Sequence, residues 1–260
     1  MTETGDKSQE ALVGSQFGPR AEAYLQSAVH AQGADLEALV ALTRDRPEAH
    51  VLDLGCGGGH VTFNVAPHVR EVVAYDLAPE MLEVVAAAAK TQGLGNVETK
   101  QGFAERLSFA DESFDFVLSR FSAHHWRDFE AGLREAARVL KLSGTAVFVD
   151  SISPGTPLLD TYYQTTELLR DCSHVRNYSR AEWEAAMARA GLIPDATSHY
   201  RLRLDFTSWV QRMATPKVQV DAIRALQAAV PPRVARYFET EPDGSFCIDV
   251  ALFRALKPRL

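Results

Sequence analysis

The run Val51-Leu52-Asp53-Leu54-Gly55-Cys56-Gly57-Gly58-Gly59 constrains this chain more than any other feature. A short apolar segment, 50–54, stops abruptly at glycines. A short helix is predicted over about 59–66, stopped by Pro67. This reads as a buried strand handing over to a helix through a tight turn. Glycine there permits positive φ and lets a ligand approach bare backbone. The N–H groups at such a turn can bind a polar ligand group. Asp53, just before the turn, can steady those N–H groups or attract a cationic ligand.

The pattern then repeats. Residues 71–76 (EVVAYD) read as a second strand. Pro79 suits the first turn of a helix that runs to about Gln92 and stops at Gly93. Residues 96–101 and 114–119 read as strands, 129–140 as an amphipathic helix and 144–150 as a fifth strand. Alternating strands and helices imply a parallel sheet with helices on both faces, and ligands at the carboxyl ends of its strands. The expected fold is α/β, a Rossmann-like three-layer sandwich. Its sheet is expected to be seven-stranded and mostly parallel, with helical insertions in the C-terminal half.

Upstream, residues 1–15 are polar and read as a flexible N-terminus, followed by a helix over about 19–43 with Leu36, Leu39, Val40 and Leu42 on one stripe. Residues 16–260 are read as one domain in two halves, 16–150 with the glycine turn and 151–260 with a candidate lid. In the latter, 151–178 carries a helical segment suited to a lid. Ser179 and Glu182 have capping-box spacing, and Gly191 lies just past the helix they would start. Residues 197–206 and 246–253 read as strands, separated by a helical insertion at 207–239.

Asp76 ends the second strand, 21 residues after Gly55. A carboxylate at that place can accept both ribose hydroxyls of an adenosine cofactor. An NAD fingerprint fails, because His60 stands where the third small residue belongs; a P-loop fails for want of Gly-Lys-Ser/Thr. The net charge of -7 argues against a general nucleic-acid binder. The N-terminus lacks the pattern of a secretory signal, and no apolar stretch is long enough to span a membrane. Three cysteines without CxxC spacing suggest neither disulfides nor zinc, so no metal is expected and a cytoplasmic location is.

These residues carry a family resemblance. VLDLGCGGGH looks like the first motif of class I S-adenosylmethionine-dependent methyltransferases. GFAERLSFADESFDFVLSRFSAHHW and REAARVLKLSGTAVFVD resemble the small-molecule branch of the ubiquinone/menaquinone-biosynthesis type (methyltransferase type 11). The resemblance covers residues 16–150 well and the remainder poorly. It implies S-adenosylmethionine as cofactor, with residues 16–150 serving the cofactor and 151–260 the specificity for the acceptor. Gly55, Cys56 and Gly57 would line its methionine part. Asp76 would hold the ribose, with Leu77 and Met81 beside the adenine and Ala104 and Glu105 at its edge. Ser119, Arg120 and Phe121 would form the floor, and Tyr24 would come from a covering N-terminal helix. The pattern departs at Phe103, where many relatives carry an acidic residue that reads the adenine amino group.

His124 and His125 follow the fourth strand at the site end of the sheet and are the candidate catalytic residues, as a base or as orienting groups. Helix capping or packing is the alternative. Trp126, Tyr162 and Tyr163 could line an acceptor pocket or belong to the core. His174 and Arg176 could meet an anionic substrate group or lie at the surface. The expected function is methylation of a small-molecule acceptor at C, O or N. An NAD-dependent oxidoreductase and a non-catalytic cofactor-binding protein are the rivals. A homodimer is compatible with the chain.

Overall fold

Side chains alternate between the two faces of the sheet along each strand, and β1, β2 and β4 are buried almost continuously because different helices cover each face. The computed structural model describes residues 8–21, 25 and 32–259. In chain order its elements are α1 (Gln9–Phe17), α2 (Ala34–Thr43), β1 (His50–Leu54), α3 (His60–Val65), β2 (Glu71–Asp76), α4 (Pro79–Thr91), β3 (Val97–Gln101), β4 (Phe114–Arg120), α5 (Phe129–Val139) and β5 (Leu140–Ile152). There follow α6 (Pro157–Arg170), α7 (Arg180–Arg189), β6 (Ile193–Leu204), α8 (Phe206–Arg212), α9 (Lys217–Ala229), α10 (Pro232–Tyr237) and β7 (Phe246–Leu256).

Val51, Val72, Phe116, Leu118, Val147 and Val149 form one face, packed against Leu39 of α2, Val61 and Val65 of α3, Tyr163 of α6 and Trp209 of α8. The alternate residues Leu52, Leu54, Val73, Val117, Ala146 and Phe148 meet Phe129, Leu133 and Ala136 of α5 and Trp183 and Met187 of α7. Each fully buried side chain of this size contributes about 1.5–3 kcal/mol.

The strand order is β3-β2-β1-β4-β5-β7-β6. β1 pairs in parallel with β2 on one side and β4 on the other. The chain therefore reverses its direction of winding between these neighbours, which opens a crevice beyond their carboxyl ends.

The expectation of a mostly parallel sheet needs correction, because the sheet is mixed. β7 pairs antiparallel with both β5 and β6. The reason is the connection. The chain leaves β6 at Leu204 and re-enters β7 at Phe246, its direct partner across the ladder. α8, α9 and α10 thus form an excursion that starts and ends at one place, and a connection without a crossover must reverse the strand.

Two expectations near the N-terminus also change. Residues 9–15, read as flexible, belong to α1, whose N-cap Ser8 side chain accepts from Ala11 N. The continuous helix over 19–43 is interrupted, because Gly33 has φ 137° and α2 starts only at Ala34. The capping box is present as read, with Ser179 and Glu182 bonded reciprocally.

Candidate functional site

β1 ends in a turn folded back on β2. The N–H groups of Gly55 and Cys56 both donate to Tyr75 O, at 2.8 and 3.0 Å. Gly55 has φ 74°, and a Cβ there would stand 1.9 Å from Ser122 Oγ, so glycine is required. Gly57 has φ 49° with open space where a Cβ would point.

Two carboxylates flank this turn, Asp53 buried and Asp76 half-buried. Asp76 accepts from Gly57 N through Oδ2 and from Ala78 N through Oδ1, each at 2.9 Å. It therefore ties the glycine turn to the start of α4. Burial raises its pKa against the lowering effect of those backbone bonds. Asp53 accepts from Thr62 N at 3.0 Å and Thr62 Oγ1 at 2.6 Å, both through Oδ2. Its Oδ1 is buried and has no hydrogen-bond partner among the described residues. Burial pushes the Asp53 pKa up to about 7, with the Thr62 bonds and Arg120 opposing and Asp76 adding to the rise.

Asp53, Gly55, Cys56, Gly57, Asp76, Leu77, Met81, Ala104, Glu105, Arg120 and Phe121 line one cavity of about 1070 Å³, counting the space open at its mouth. It lies at the carboxyl ends of β1, β2 and β4. Phe103 lines it as well and is partly exposed. Ser119 does not line it; that side chain is buried in the sheet. Tyr24 lies outside the described residues.

A second cavity of about 620 Å³ adjoins the first, and Phe17, Phe121 and His125 line both. Phe121 has φ 53°, a conformation that costs a non-glycine residue of order 1–3 kcal/mol and that clusters at functional sites. The second cavity combines apolar side chains (Leu202, Leu204, Trp209, Ile248) with His124, Glu167, Arg170, Asp171 and Arg212. All but His124, which follows β4, come from β6, α8, β7 and the end of α6, so the C-terminal half supplies most of the wall.

The two histidines differ. His124 Nδ1 lies 2.6 Å from Asp150 Oδ1. Burial opposes its charged form, but Asp150 outweighs this and holds the imidazole above its usual range. His125 Nδ1 donates to Ser173 O at 3.1 Å, and its ring meets Phe17 edge-on at 4.9 Å. Burial, with the neighbouring His124, lowers its pKa to about 4, so it is neutral at pH 7.

His174 and Arg176 are held by protein groups. His174 is buried with Nε2 3.0 Å from Gln164 Oε1, and its pKa falls to about 2 through burial. Arg176 pairs with Asp160 at 3.2 Å and Glu182 at 3.3 Å. Neither lines either cavity. Although the three histidine rings lie within 6.5 Å of one another, no group among the described residues is arranged to hold a metal ion. Trp126 lines the first cavity, whereas Tyr162 and Tyr163 pack on Phe238 in the core.

Sequence reading missed the contribution of α1. Gln9, Glu10, Val13 and Phe17 all line the first cavity. Gln9 Nε2 donates to Ser173 O at 2.6 Å, Gln16 reaches Asp171 at 3.3 Å, and Glu10 pairs with Arg127 at 2.7 Å. The one available signal was the four-residue spacing of Val13 and Phe17, which places both on one helix face.

Comparison with known proteins gives a consistent result. A family model described as a methyltransferase domain matches residues 52–148. The uncharacterized protein YafE of Escherichia coli (strain K12) is 48% identical over 203 residues, 78% of this chain and 98% of that protein. The uncharacterized methyltransferase YcgJ of Bacillus subtilis (strain 168) is 38% identical over 200 residues, 77% of this chain and 79% of its own. The YcgJ crystal structure superposes with a TM-score of 0.83 at 33% identity, covering 87% of this chain and 99% of that one. A putative methyltransferase from Bacillus halodurans reaches 0.84 at 32% identity, covering 87% and 100%.

Proposed function

This chain belongs to the class I S-adenosylmethionine-dependent methyltransferases, and we propose that it methylates a small molecule held in the second cavity. The observation that carries the reading is the shared wall of Phe17, Phe121 and His125 between the two cavities. A donor in one and an acceptor in the other would meet at that wall.

The residues present suit the donor. Asp53 lines the first cavity, and its buried Oδ1, without a hydrogen-bond partner among the described residues, is matched by the cationic amino-acid head of the cofactor. Gly55, Cys56 and Gly57 line the methionine portion through backbone. Asp76 holds the ribose hydroxyls on lone pairs not used by Gly57 and Ala78. Leu77 and Met81 flank the adenine, Ala104 and Glu105 edge it, and the acidic contact to its amino group is absent at Phe103. Arg120 and Phe121 border the methyl-transfer end, and Ser119 supports them from the strand. Tyr24 is assigned to the covering segment by resemblance alone.

Bound cofactor supplies a methyl group on sulfonium sulfur; the chain's task is to orient both partners and exclude water. Orientation can supply about 7–11 kcal/mol of the barrier. α1, tied to the 171–173 loop by Gln9 and Gln16, closes the mouth. His125, neutral and wedged between the cavities, orients the acceptor; His124 acts on the acceptor side. Residues 16–150 serve the cofactor and 151–260 the acceptor. Three free cysteines suit a reducing compartment, which supports a cytoplasmic location.

Two measurements test this. Calorimetry should find S-adenosylmethionine and S-adenosylhomocysteine binding and no NAD binding. Methyl transfer from labelled cofactor to a panel of small phenols, enols and amines should then be lost on narrowing the second cavity with Leu204→Trp, while cofactor binding persists. Cofactor binding without turnover on any acceptor class would favour the non-catalytic reading.

A further inference from the structure

We propose that His124 and Asp150 form a proton-accepting dyad at the second cavity, and that the acceptor is a weak O–H acid, a phenol or enol, rather than an amine. The inference rests on the two-cavity reading above.

Asp150, near the carboxyl end of β5, is 2% exposed. Its Oδ1 takes His124 Nδ1 at 2.6 Å and Ser151 N at 2.8 Å, and its Oδ2 accepts from His124 N at 3.3 Å. The backbone of His124 is held from the other side, where its carbonyl accepts from Val175 N at 2.9 Å and Arg176 N at 3.2 Å. The ring is therefore locked with Nδ1–H on the carboxylate, which leaves Nε2 as the basic nitrogen. No hydrogen bond from the described residues is recorded at Nε2, and the side chain lines the second cavity.

His125 lacks this arrangement. Its Nδ1 serves a backbone carbonyl, and its basicity is depressed. Around the dyad stand the carboxylates of Glu167 and Asp171, the imidazoles of His125 and His174, and the guanidinium groups of Arg170 and Arg212. Arg170 is paired with Glu167 at 3.5 Å. Burial works against the imidazolium and Asp150 more than restores it, so His124 is a stronger base than a free histidine. A phenol must shed its proton to become a good nucleophile, and the phenolate so formed is paired with the imidazolium it creates; an alkylammonium would instead meet that imidazolium as a like charge. Trp209, Leu202, Leu204 and Ile248 give the apolar lining against which an aromatic ring would pack.

His124 Nε2 takes the hydroxyl proton. The oxygen lone pair forms the bond to the methyl carbon while the carbon–sulfur bond breaks, its pair returning to sulfur and cancelling the sulfonium charge. The products are the methyl ether, S-adenosylhomocysteine and an imidazolium that returns its proton to solvent.

The test uses 4-nitrophenol, whose absorption distinguishes phenol from phenolate, added to protein loaded with S-adenosylhomocysteine. Bound probe should be ionised at a pH below its own solution pKa. His124→Gln should abolish that ionisation. Asp150→Asn should move the ionisation to higher pH and, with any turned-over phenol, shift the rising limb of kcat/KM to lower pH while lowering its plateau about 10²–10⁴-fold. A merely structural Asp150 would lower activity without moving the limb. Calorimetric binding of S-adenosylhomocysteine by each variant is the control for folding. If that binding is intact but the probe does not bind, stays protonated, or ionises equally in His124→Gln, the dyad is refuted and the two-cavity reading survives. If folded wild-type protein does not bind S-adenosylhomocysteine, both fall.

Discussion

Replacing Asp53 with Asn should make the protein more stable and less able to bind its cofactor, and the magnitudes follow from one carboxylate. Its pKa rises from 3.8 to about 7 in the folded chain. At about 1.36 kcal/mol per pK unit, keeping it ionised in the fold above pH 7 costs about 4 kcal/mol. The sign is set by the folded pKa exceeding the unfolded one. The group's contribution is fully present below pH 3.8 and is lost as pH rises through about 7. Asn removes the charge and keeps an acceptor for Thr62, but its amide inherits the site of the unpartnered Oδ1, which costs ~1–3 kcal/mol. The net gain at pH 8 is about 2 kcal/mol, or roughly 4–8 °C in Tm. At pH 5 the carboxylate penalty is under ~2 kcal/mol, the amide's cost offsets it, and the two proteins should melt together. Binding should move the other way. Loss of a bond to a charged partner is worth about 1.5–3 kcal/mol, a tenfold or greater rise in Kd for S-adenosylmethionine. Thermal melts at pH 5 and 8, with calorimetry at pH 8, read both effects. A variant that gains nothing at pH 8, or that is stabilised yet binds the cofactor as tightly as wild type, would refute the account of Asp53 as a strained receptor for a cation.

Other changes probe neighbouring parts of the site. Wild-type cofactor affinity should strengthen from pH 6 to 8, because Asp53 must ionise to receive a cation; a flat profile by calorimetry would contradict this. Asp76→Ala removes the acceptor for Gly57 N and Ala78 N and should weaken S-adenosylhomocysteine binding at least tenfold with little change in fold by circular dichroism. Gly132→Ala would set a Cβ 2.4 Å from Trp126 Cε3, and should cost about 1–3 kcal/mol in urea denaturation. Gln9→Ala unties α1 from Ser173 and should raise KM for the acceptor and speed cofactor release in stopped-flow measurements, leaving Tm within a degree or two.

The interior strands β1, β2 and β4, helices α3 to α5, the glycine turn and the placing of Asp53 and Asp76 were legible from sequence. Each is written in neighbouring residues: an apolar run ended by glycines, a proline at a helix start, a strand closed by an acid. The capping box at Ser179 is of the same kind, since both partners lie within one turn. What depends on such local periodicity and steric rules the amino-acid order determines by itself.

The remainder belongs to contacts between distant segments. The reversal of β7 follows from where the chain re-enters the sheet, and no residue within 246–256 announces it. α1 follows a polar stretch and reads with it as a tail; hydrogen bonds to residues more than 150 positions away hold it at the site. The two histidines are adjacent and chemically identical in sequence. Only the fold gives one a buried aspartate within hydrogen-bond reach, raising its basicity, and leaves the other on a backbone carbonyl with its nearest aspartate at 3.9 Å, so that burial and the adjacent imidazole lower it. Burial and the charge across a cavity set such differences, and both are properties of three-dimensional neighbours rather than of the order of residues along the chain.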